Sequence, residues 1–305
     1  MPRKARFKIE NGIYHVMLRS ISDFPLFKKN EDKNVFLNIV KKCQIKYRFK
    51  IYGYCIMTTH VHLLIDSNGA DISQFMHSIN QSYAQYYNKK HNRRGHVFQD
   101  RFKSKLVDTY SYLLRVSAYI HRNPKDMKGY KGHLEDYKYS SLGIYLGLMK
   151  DSFGILDENY VMQMFDKDVK KARKAYLILV YNCDDKILKE NTEFKDERTE
   201  YRSERQTVKR NFGHEEILDF VSKYTNIPKW QIFLKGKRNI THLKALYILM
   251  LKCLCNLKDK DICKIIGNIT QSRVSALCAI GIELVLTDDK YKNIIDDFIA
   301  LKSAN

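Results

Sequence analysis

Two histidines, His60 and His62, are separated by a single residue in the run CIMTTHVHLLI. Residues two apart in a β-strand point to the same side of the sheet, so both imidazoles would project together while Val61 and Leu63 project into the core. Two neutral imidazoles at this spacing can share one divalent cation, with oxygen ligands completing its shell. A pair of solvent-facing strand histidines is the alternative that the spacing alone leaves open.

A tyrosine and an asparagine form the second chemical pair. Tyr119 and Asn123 are four residues apart on a predicted helix that ends before Pro124, so they share one face of that helix. Tyr119 offers a hydroxyl nucleophile that needs assistance, because the pKa of a phenol is about 10. Asn123 offers a neutral carbonyl oxygen, which suits Mg²⁺ or Mn²⁺. The chain has 21 tyrosines, so a purely structural role for Tyr119 is the alternative.

The charge balance predicts a polyanionic partner. The 305 residues include 54 Lys and Arg against 34 Asp and Glu, a formal net charge of +20. An excess of this size favours binding to nucleic acid, through phosphate contacts and the release of counterions.

The cations are concentrated in residues 86–105, where aromatic residues lie between them. Cations for phosphates and rings for unpaired bases are typical of single-strand binding, and a solvated loop is the alternative. A second basic group at the N-terminus is a candidate contact to a hairpin stem. The candidate DNA-binding cations are Arg3, Lys4, Arg6, Lys89, Lys90, Arg93, Arg94, Arg101, Lys103 and Lys105, and the interleaved rings are Tyr86, Tyr87, Phe98 and Phe102.

The cysteines and the N-terminus predict a cytoplasmic protein. The seven cysteines are odd in number and none has the spacing of a zinc site, so we expect reduced thiols. The basic N-terminus is not followed by an apolar run, which argues against a secretion signal. No stretch of about 18 apolar residues predicts a membrane span.

Hydrophobic periodicity predicts the elements that would position the chemical groups. The order is strand, helix, strand, strand, helix, strand, helix, which indicates an α+β fold with an antiparallel sheet and helices on one face. The predicted ranges are 13–20, 31–47, 50–57, a strand starting near His60 or Val61, 71–90, a short extended piece within 97–107, and 109–123.

The rest of the chain reads as helical, apart from one highly charged stretch. The predicted domain organisation is a catalytic domain over 1–135, a helical extension over 136–181, a charged linker over 182–213, a helical DNA-binding domain over 214–290 and a C-terminal tail over 291–305.

Three runs in the N-terminal half, GYCIMTTHVHLLI, GHVFQDRFKSKLV and YLLRVSAYIHRNP, resemble the REP-associated tyrosine transposases of the HUH superfamily. The resemblance covers residues 8–145 and implies a ferredoxin-like fold. It also implies Tyr119 as the nucleophile, a 5′-phosphotyrosine intermediate, Mg²⁺ or Mn²⁺ held by His60, His62 and Asn123, and single-stranded DNA with hairpins as substrate. The chain departs from the family pattern over residues 125–130, in a structural turn.

A second resemblance covers residues 214–286, which are similar to the DNA-binding domain of the bacterial chromosomal replication initiator. Residues 258–266, a turn at 267–269 and a helix from Thr270 would form a helix-turn-helix. The stretch of basic residues and histidine that the initiator family has before its last helix is missing here, and a helical packing module is the alternative. The candidate DNA contacts are Gln271, Ser272, Arg273 and Ser275.

Together these features predict a metal-dependent enzyme that nicks and rejoins single-stranded DNA, with duplex DNA held by the C-terminal helices. A DNA-binding regulator without catalysis is the main alternative, and an RNA-binding ferredoxin-like module is the third. The sequence is compatible with a monomer or a homodimer.

Overall fold

A computed structural model gives the structure of the protein and describes residues 9, 11–182, 208, 210–234, 238–267 and 269–303. The chain divides into two compact units. The first consists of Met1–Lys41 and Phe49–Gln206, and the second consists of Lys42–Arg48 and Thr207–Asn305. The predicted basic arm at Arg3, Lys4 and Arg6 lies outside the described residues, as does most of the predicted charged linker.

A four-stranded sheet is the centre of the first unit. Its strands are β1 (Ile13–Arg19), β2 (Lys50–Ile56), β3 (His60–Asp66) and β4 (Lys103–Val107). Their spatial order is β2-β3-β1-β4, and every neighbouring pair is antiparallel. Because β3 is inserted between β1 and β2, the topology is the split βαβ arrangement of ferredoxin-like folds. The predicted α+β class and element order are confirmed.

Three helices alternate with the strands in the predicted order. Helix α1 (Asn30–Tyr47) follows β1, α2 (Ile72–Lys90) follows β3, and α3 (Tyr110–Arg122) follows β4. Asp71 caps α2 by accepting from the Ser73 amide, and Thr109 caps α3 by accepting from the Tyr112 amide. Three further helices follow in the described part of this unit: α4 (Leu142–Tyr145), α5 (Asn159–Met162) and α6 (Val169–Asn182).

The sheet has two chemically different faces. Alternation along β3 puts Val61, Leu63 and Ile65 on one face, and all three are buried. Paired residues of antiparallel strands point to the same side, so the register collects the polar side chains on the other face. We call this the histidine face. The histidine face includes Arg19, Met17 and His15 of β1, His60 and His62 of β3, and Lys103 and Lys105 of β4. Helix α3 packs against β2 and β3.

The second unit is helical, with a core that includes Leu246, Leu249 and Ile262. Its helices are α7 (His214–Thr225), α8 (Arg238–Cys255), α9 (Asp259–Ile266), α10 (Gln271–Thr287) and α11 (Ile294–Ser303). Residues 291–305 were predicted to be a C-terminal tail, and α11 was not predicted. Ile294 and Phe298 of α11 are buried in the core of the unit, so this segment is part of the fold.

Helices α9 and α10 form the segment predicted to be a helix-turn-helix, and that motif stays a prediction. The two helices meet at 96°, within the roughly 90–120° usual for that motif. Gly267 in the turn has a φ of +65°, a conformation that residues with a Cβ rarely adopt. α10 also approaches α8 closely, because a Cβ on Gly281 would lie 2.5 Å from the Ala245 carbonyl oxygen.

Within the described part of the chain, no single helix has the length and apolar composition to cross a bilayer. The sharply bent pair α9 and α10 meets that criterion only when the two helices are joined. Six cysteines are described, Cys43, Cys55, Cys253, Cys255, Cys263 and Cys278, and all are free thiols.

Candidate active site

The two histidines of the HVH run lie side by side at the start of β3. His60 is the first residue of the strand, and the centroids of the two imidazole rings are 5.1 Å apart. His60 is half-buried and its Nδ1 lies 3.2 Å from Thr59 Oγ1, whereas His62 is only 2% exposed. The rings therefore differ in environment although they project to the same side.

The phenol of Tyr119 lies next to these imidazoles. Its ring centroid is 5.6 Å from that of His62, with the two rings perpendicular. Tyr119 remains 53% exposed, whereas its neighbours Ala118 and Ile120 are fully buried. The core contacts of α3 thus fix the backbone on either side of a tyrosine whose side chain stays accessible to solvent.

Asn123 follows one turn after Tyr119, immediately beyond the end of α3. Its side-chain Nδ2 donates to the Tyr119 carbonyl oxygen at 2.9 Å and to the Ile120 carbonyl oxygen at 3.3 Å. These hydrogen bonds hold the amide nitrogen against the helix end. The Oδ1 atom of the same amide is an acceptor, and the predicted ligand role would use this atom.

A third histidine, which was not among the predicted site residues, lies in the same cluster. His15 Nε2 lies 2.9 Å from His62 Nδ1, and the two rings are stacked at 5.2 Å with an interplanar angle of 24°. The ring of His15 also meets that of Tyr119 at 5.8 Å. Alternation places His15 on one face of β1, but its contact with His62 depends on the register between β1 and β3, which the sequence pattern did not supply.

The environment keeps the imidazoles of His62 and His15 neutral at neutral pH. Burial, together with the charges of His15 and His60, lowers the pKa of His62 to about 3. Burial, with a contribution from the Lys105 charge, lowers the pKa of His15 to about 4. Neutral imidazoles retain a lone pair, so at neutral pH they can bind a metal or accept a hydrogen bond without first losing a proton.

The residue types of His60, His62 and Asn123 would suit a divalent cation that binds a phosphodiester. Among the described residues no group of three or more His, Cys, Asp and Glu side chains is arranged to hold a metal ion. Two neutral imidazoles and an amide oxygen suit Mn²⁺ or Mg²⁺ as an open, incomplete shell. Because these ligands carry no charge, the full double charge of the cation would act on a bound phosphate group.

A buried histidine on α3 ties the tyrosine helix to the rest of the unit. His121 Nδ1 lies 2.6 Å from the Tyr176 hydroxyl group of α6, and its Nε2 lies 2.6 Å from Ser141 Oγ. Ser141 Oγ in turn accepts from the Tyr54 amide of β2. Burial lowers the pKa of His121 to about 3. This chain of contacts orients α3, and hence Tyr119, relative to β2 and α6.

Two of the rings predicted to stack on bases are part of the core. Tyr87 and Phe102 are buried, and the Tyr87 hydroxyl group donates to the Pro25 carbonyl oxygen. The prediction that these two rings stack on unpaired bases is wrong, because they cannot reach a base without unfolding the segment. Tyr86 and Phe98 are half-buried.

The predicted cations divide into engaged and exposed groups. Lys90 forms ion pairs with Glu31 and Asp32, and the guanidinium of Arg93 lies 4.4 Å from the centre of the Phe24 ring. Lys103 and Lys105 are exposed on β4, opposite Met17 and His15 in the register, and Lys105 Nζ also lies 4.6 Å from the centre of the Tyr112 ring. The other exposed members are Lys89, Arg94 and Arg101. The exposed lysines of β4 thus put positive charge beside the histidine cluster.

Asp32 is the buried carboxylate that binds the start of α1 to the end of α2. Its side chain is fully buried and accepts hydrogen bonds from the Lys29 amide, the Tyr86 hydroxyl group and Lys90 Nζ. Burial alone would raise the pKa of this carboxyl group, but these hydrogen bonds and the Lys90 charge lower it below its usual value of 3.8.

We therefore expect Asp32→Asn to lower the free energy of unfolding by about 2–3 kcal/mol, as urea denaturation would measure. Because the pKa of Asp32 is lowered on folding, its contribution is complete above about pH 4 and is lost as the pH falls further. Glu31→Gln is the matched control: Glu31 pairs with the same lysine but is 66% exposed, so we expect less than about 1 kcal/mol. Equal effects of the two substitutions would contradict the assigned role.

The candidate DNA contacts of the second unit lie at the start of α10. Gln271, Ser272 and Arg273 are exposed in its first turn, which Thr270 caps by accepting from the Arg273 amide. Ser275 is also exposed, and its hydroxyl group donates to Asp259 of α9 at 2.9 Å. Ser275 therefore links α10 to α9.

Comparison with known proteins gives one family. Residues 8–123 match the sequence model of the family described as transposase IS200 like. A solved structure of a REP-associated tyrosine transposase bound to a REP hairpin is similar over 49% of this chain and 89% of that chain, with 16% sequence identity and a TM-score of 0.41. No curated protein matches the chain.

The matched segment contains every member of the candidate active site: His15, His60, His62, Tyr119 and Asn123. The likeness of residues 214–286 to the replication initiator remains a prediction. Residues 8–123 of this chain are similar to the IS200-like transposase family.

Proposed function

We propose that this protein cuts and rejoins single-stranded DNA that contains a hairpin, with Tyr119 as the nucleophile. The observation that supports the proposal most directly is the position of Tyr119, an exposed phenol whose ring lies 5.6 Å from the buried imidazole of His62. The whole arrangement falls within the segment that matches the transposase family.

In the cleavage step, the Tyr119 hydroxyl group loses its proton to solvent and its oxygen attacks the phosphorus of a phosphodiester. The P–O3′ bond breaks, and the departing oxygen takes up a proton to become a free 3′-hydroxyl group. The 5′ phosphate stays on Tyr119 as an ester. Attack by a 3′-hydroxyl group of another strand reverses the chemistry, so the energy of the phosphodiester is kept for joining.

His60, His62 and Asn123 would hold Mg²⁺ or Mn²⁺ beside this phosphate. When bound, the cation would polarise the phosphodiester and offset the negative charge that develops as the phenol oxygen attacks. The chain's own residues provide two neutral imidazoles, an amide oxygen fixed at the end of α3 and an anchored tyrosine. His121 contributes by orienting the helix that carries the nucleophile.

Cations beside the site would hold the DNA backbone. Lys103 and Lys105 share the histidine face with the imidazoles, and Arg94 and Arg101 are exposed in the preceding loop. Phosphate contacts of this kind position a strand without reading its sequence. The arm at Arg3, Lys4 and Arg6 would add contacts to the hairpin stem.

A covalent adduct is the decisive test of catalysis. Incubating the protein with a labelled hairpin-containing single strand and Mn²⁺, followed by a denaturing gel, should give a labelled protein band.

The second candidate function is a DNA-binding regulator without chemistry, which the predicted helix-turn-helix of α9 and α10 favours. Tight binding of the same DNA without any adduct would support the regulator.

The second unit is proposed to bind duplex DNA through α10. Arg273→Ala should weaken duplex binding by roughly tenfold, because a cation at the exposed start of a recognition helix contributes about 1–3 kcal/mol. Fluorescence anisotropy at several salt concentrations would measure this, and the loss of a phosphate contact would reduce the salt slope by about one. Lys292→Ala is the control, since Lys292 is exposed elsewhere in the same unit. Equal losses in both variants would overturn the assignment to α10.

A further inference from the structure

We infer that His15 is a positioning residue which selects the tautomer of His62, by accepting at its Nε2 a hydrogen bond from His62 Nδ1–H. The two nitrogen atoms are 2.9 Å apart, a normal hydrogen-bond distance. The contact between the two nitrogen atoms stands on this geometry. The choice of His62 Nδ1 as the donor, and its consequence for a metal ion, rest on the proposed function.

The direction of the hydrogen bond follows from the valence of a neutral imidazole, which carries one N–H and one lone pair. If His62 Nδ1 accepted the hydrogen bond, the proton of His62 would lie on Nε2 and that ring would have no lone pair for a cation. If His62 Nδ1 donates instead, Nε2 has a free lone pair. Only the second tautomer lets His62 serve as a ligand while it keeps its contact with His15.

The geometry also fixes the orientation of the His62 ring. His15 stacks on His62 at 5.2 Å with an interplanar angle of 24°, and both rings meet Tyr119 nearly edge-on. Because His15 is held on a central strand, its ring provides a fixed acceptor rather than a mobile one. Partners of this kind fix the tautomer and direction of a metal-binding histidine, and their removal typically costs 10–100-fold in affinity.

The register explains why these two histidines meet. His62 is paired with Met17 and His15 is paired with Leu64, so the two imidazoles are diagonal neighbours on the same face of antiparallel strands. Diagonal pairs are within reach of aromatic side chains. Tyr119 then covers both rings from α3.

Two variants of His15 test whether its side chain acts as a hydrogen-bond acceptor or only fills space. His15→Gln keeps a side-chain oxygen that can accept the hydrogen bond, whereas His15→Leu provides similar bulk without an acceptor. Urea denaturation of both variants checks that each one is folded. The measurements are the imidazole ¹⁵N shifts of His62 in the metal-free protein and the affinity for Mn²⁺ by electron paramagnetic resonance.

In the wild-type protein we expect His62 to carry its proton on Nδ1. His15→Leu should shift His62 towards a mixture of tautomers and weaken Mn²⁺ binding by about 10–100-fold, while His15→Gln should keep most of both properties. A wild-type His62 protonated on Nε2 would overturn the inference. So would equal Mn²⁺ affinities for the Gln and Leu variants, because a direct ligand role or no role would then explain the data better.

The tautomer measurement uses neither DNA nor metal, so its outcome is independent of whether the protein forms an adduct. A failed adduct assay with a His62 protonated on Nδ1 would reject the proposed function and leave this inference standing. A protein that forms the adduct but carries the His62 proton on Nε2 would reject the role of His15 and leave the proposed function standing.

Discussion

Tyr119→Phe is expected to abolish the covalent DNA adduct while non-covalent binding of the same hairpin strand stays within about twofold of wild type. The substitution removes one oxygen atom from a side chain that is 53% exposed, so it changes neither the core nor the surface charge. Removing the group that forms the covalent bond leaves no route to the phosphotyrosine ester, and we expect a loss of at least about a thousandfold in adduct formation. The adduct is read on a denaturing gel and the binding by gel shift.

The same helix supplies a matched control. Tyr110 begins α3 and is 70% exposed, so Tyr110→Phe makes the same chemical change on the same element away from the histidines. We expect adduct formation by this variant to equal that of the wild type. Adducts of normal yield from the Tyr119 variant would remove Tyr119 from the mechanism and direct attention to another nucleophile.

Local signals in the sequence predicted the order of the elements in the first unit. The alternation in β1 and β3, the caps Asp71 and Thr109, and the proline after α3 each act over a few residues. The same is true of the HVH run, whose projection from one side of a strand follows from the period of the strand alone. Features that depend only on the periodicity of one helix or strand could therefore be predicted directly from the sequence.

Features that depend on how distant elements meet could not be read. His15 reaches His62 through the pairing of β1 with β3, and Lys90 meets Asp32 across the gap between α2 and α1. Tyr87 and Phe102 have the composition of a base-stacking surface, but the packing of α2 and the start of β4 turns both rings into the core. The type of an aromatic or basic residue does not indicate which face of its helix or strand is buried against the rest of the protein.

The structure also suggests why a nucleophile would be placed on a helix and the imidazoles on a sheet. Tyr119 can retain exposure because its neighbours Ala118 and Ile120 are buried and because His121 fastens the helix through Ser141 and Tyr176. His62 can be buried because its strand is central and His15 satisfies its Nδ1. A rigid support for each partner limits the motion needed to bring the phenol oxygen to a phosphate group.

The second large effect is expected for His62→Ala, which should weaken Mn²⁺ binding and reduce adduct formation, each by about a hundredfold or more. His62 is the ring that touches all the others: it contacts His60, His15 and Tyr119. Its loss would remove a ligand and also leave His15 without its hydrogen-bond partner. Titration of Mn²⁺ and the adduct gel measure the two effects separately.

The control is His77→Ala, because His77 is an exposed histidine on α2 and its removal changes the same number of imidazoles. Since His62 is buried, its replacement also opens a small cavity, and the free energy of unfolding must be compared for both variants. A folded His62 variant that still forms adducts with the wild-type dependence on Mn²⁺ would place the cation elsewhere. A variant that loses adducts and Mn²⁺ binding together, yet retains the hairpin strand, would separate metal-assisted chemistry from recognition of the DNA backbone by the lysines of β4.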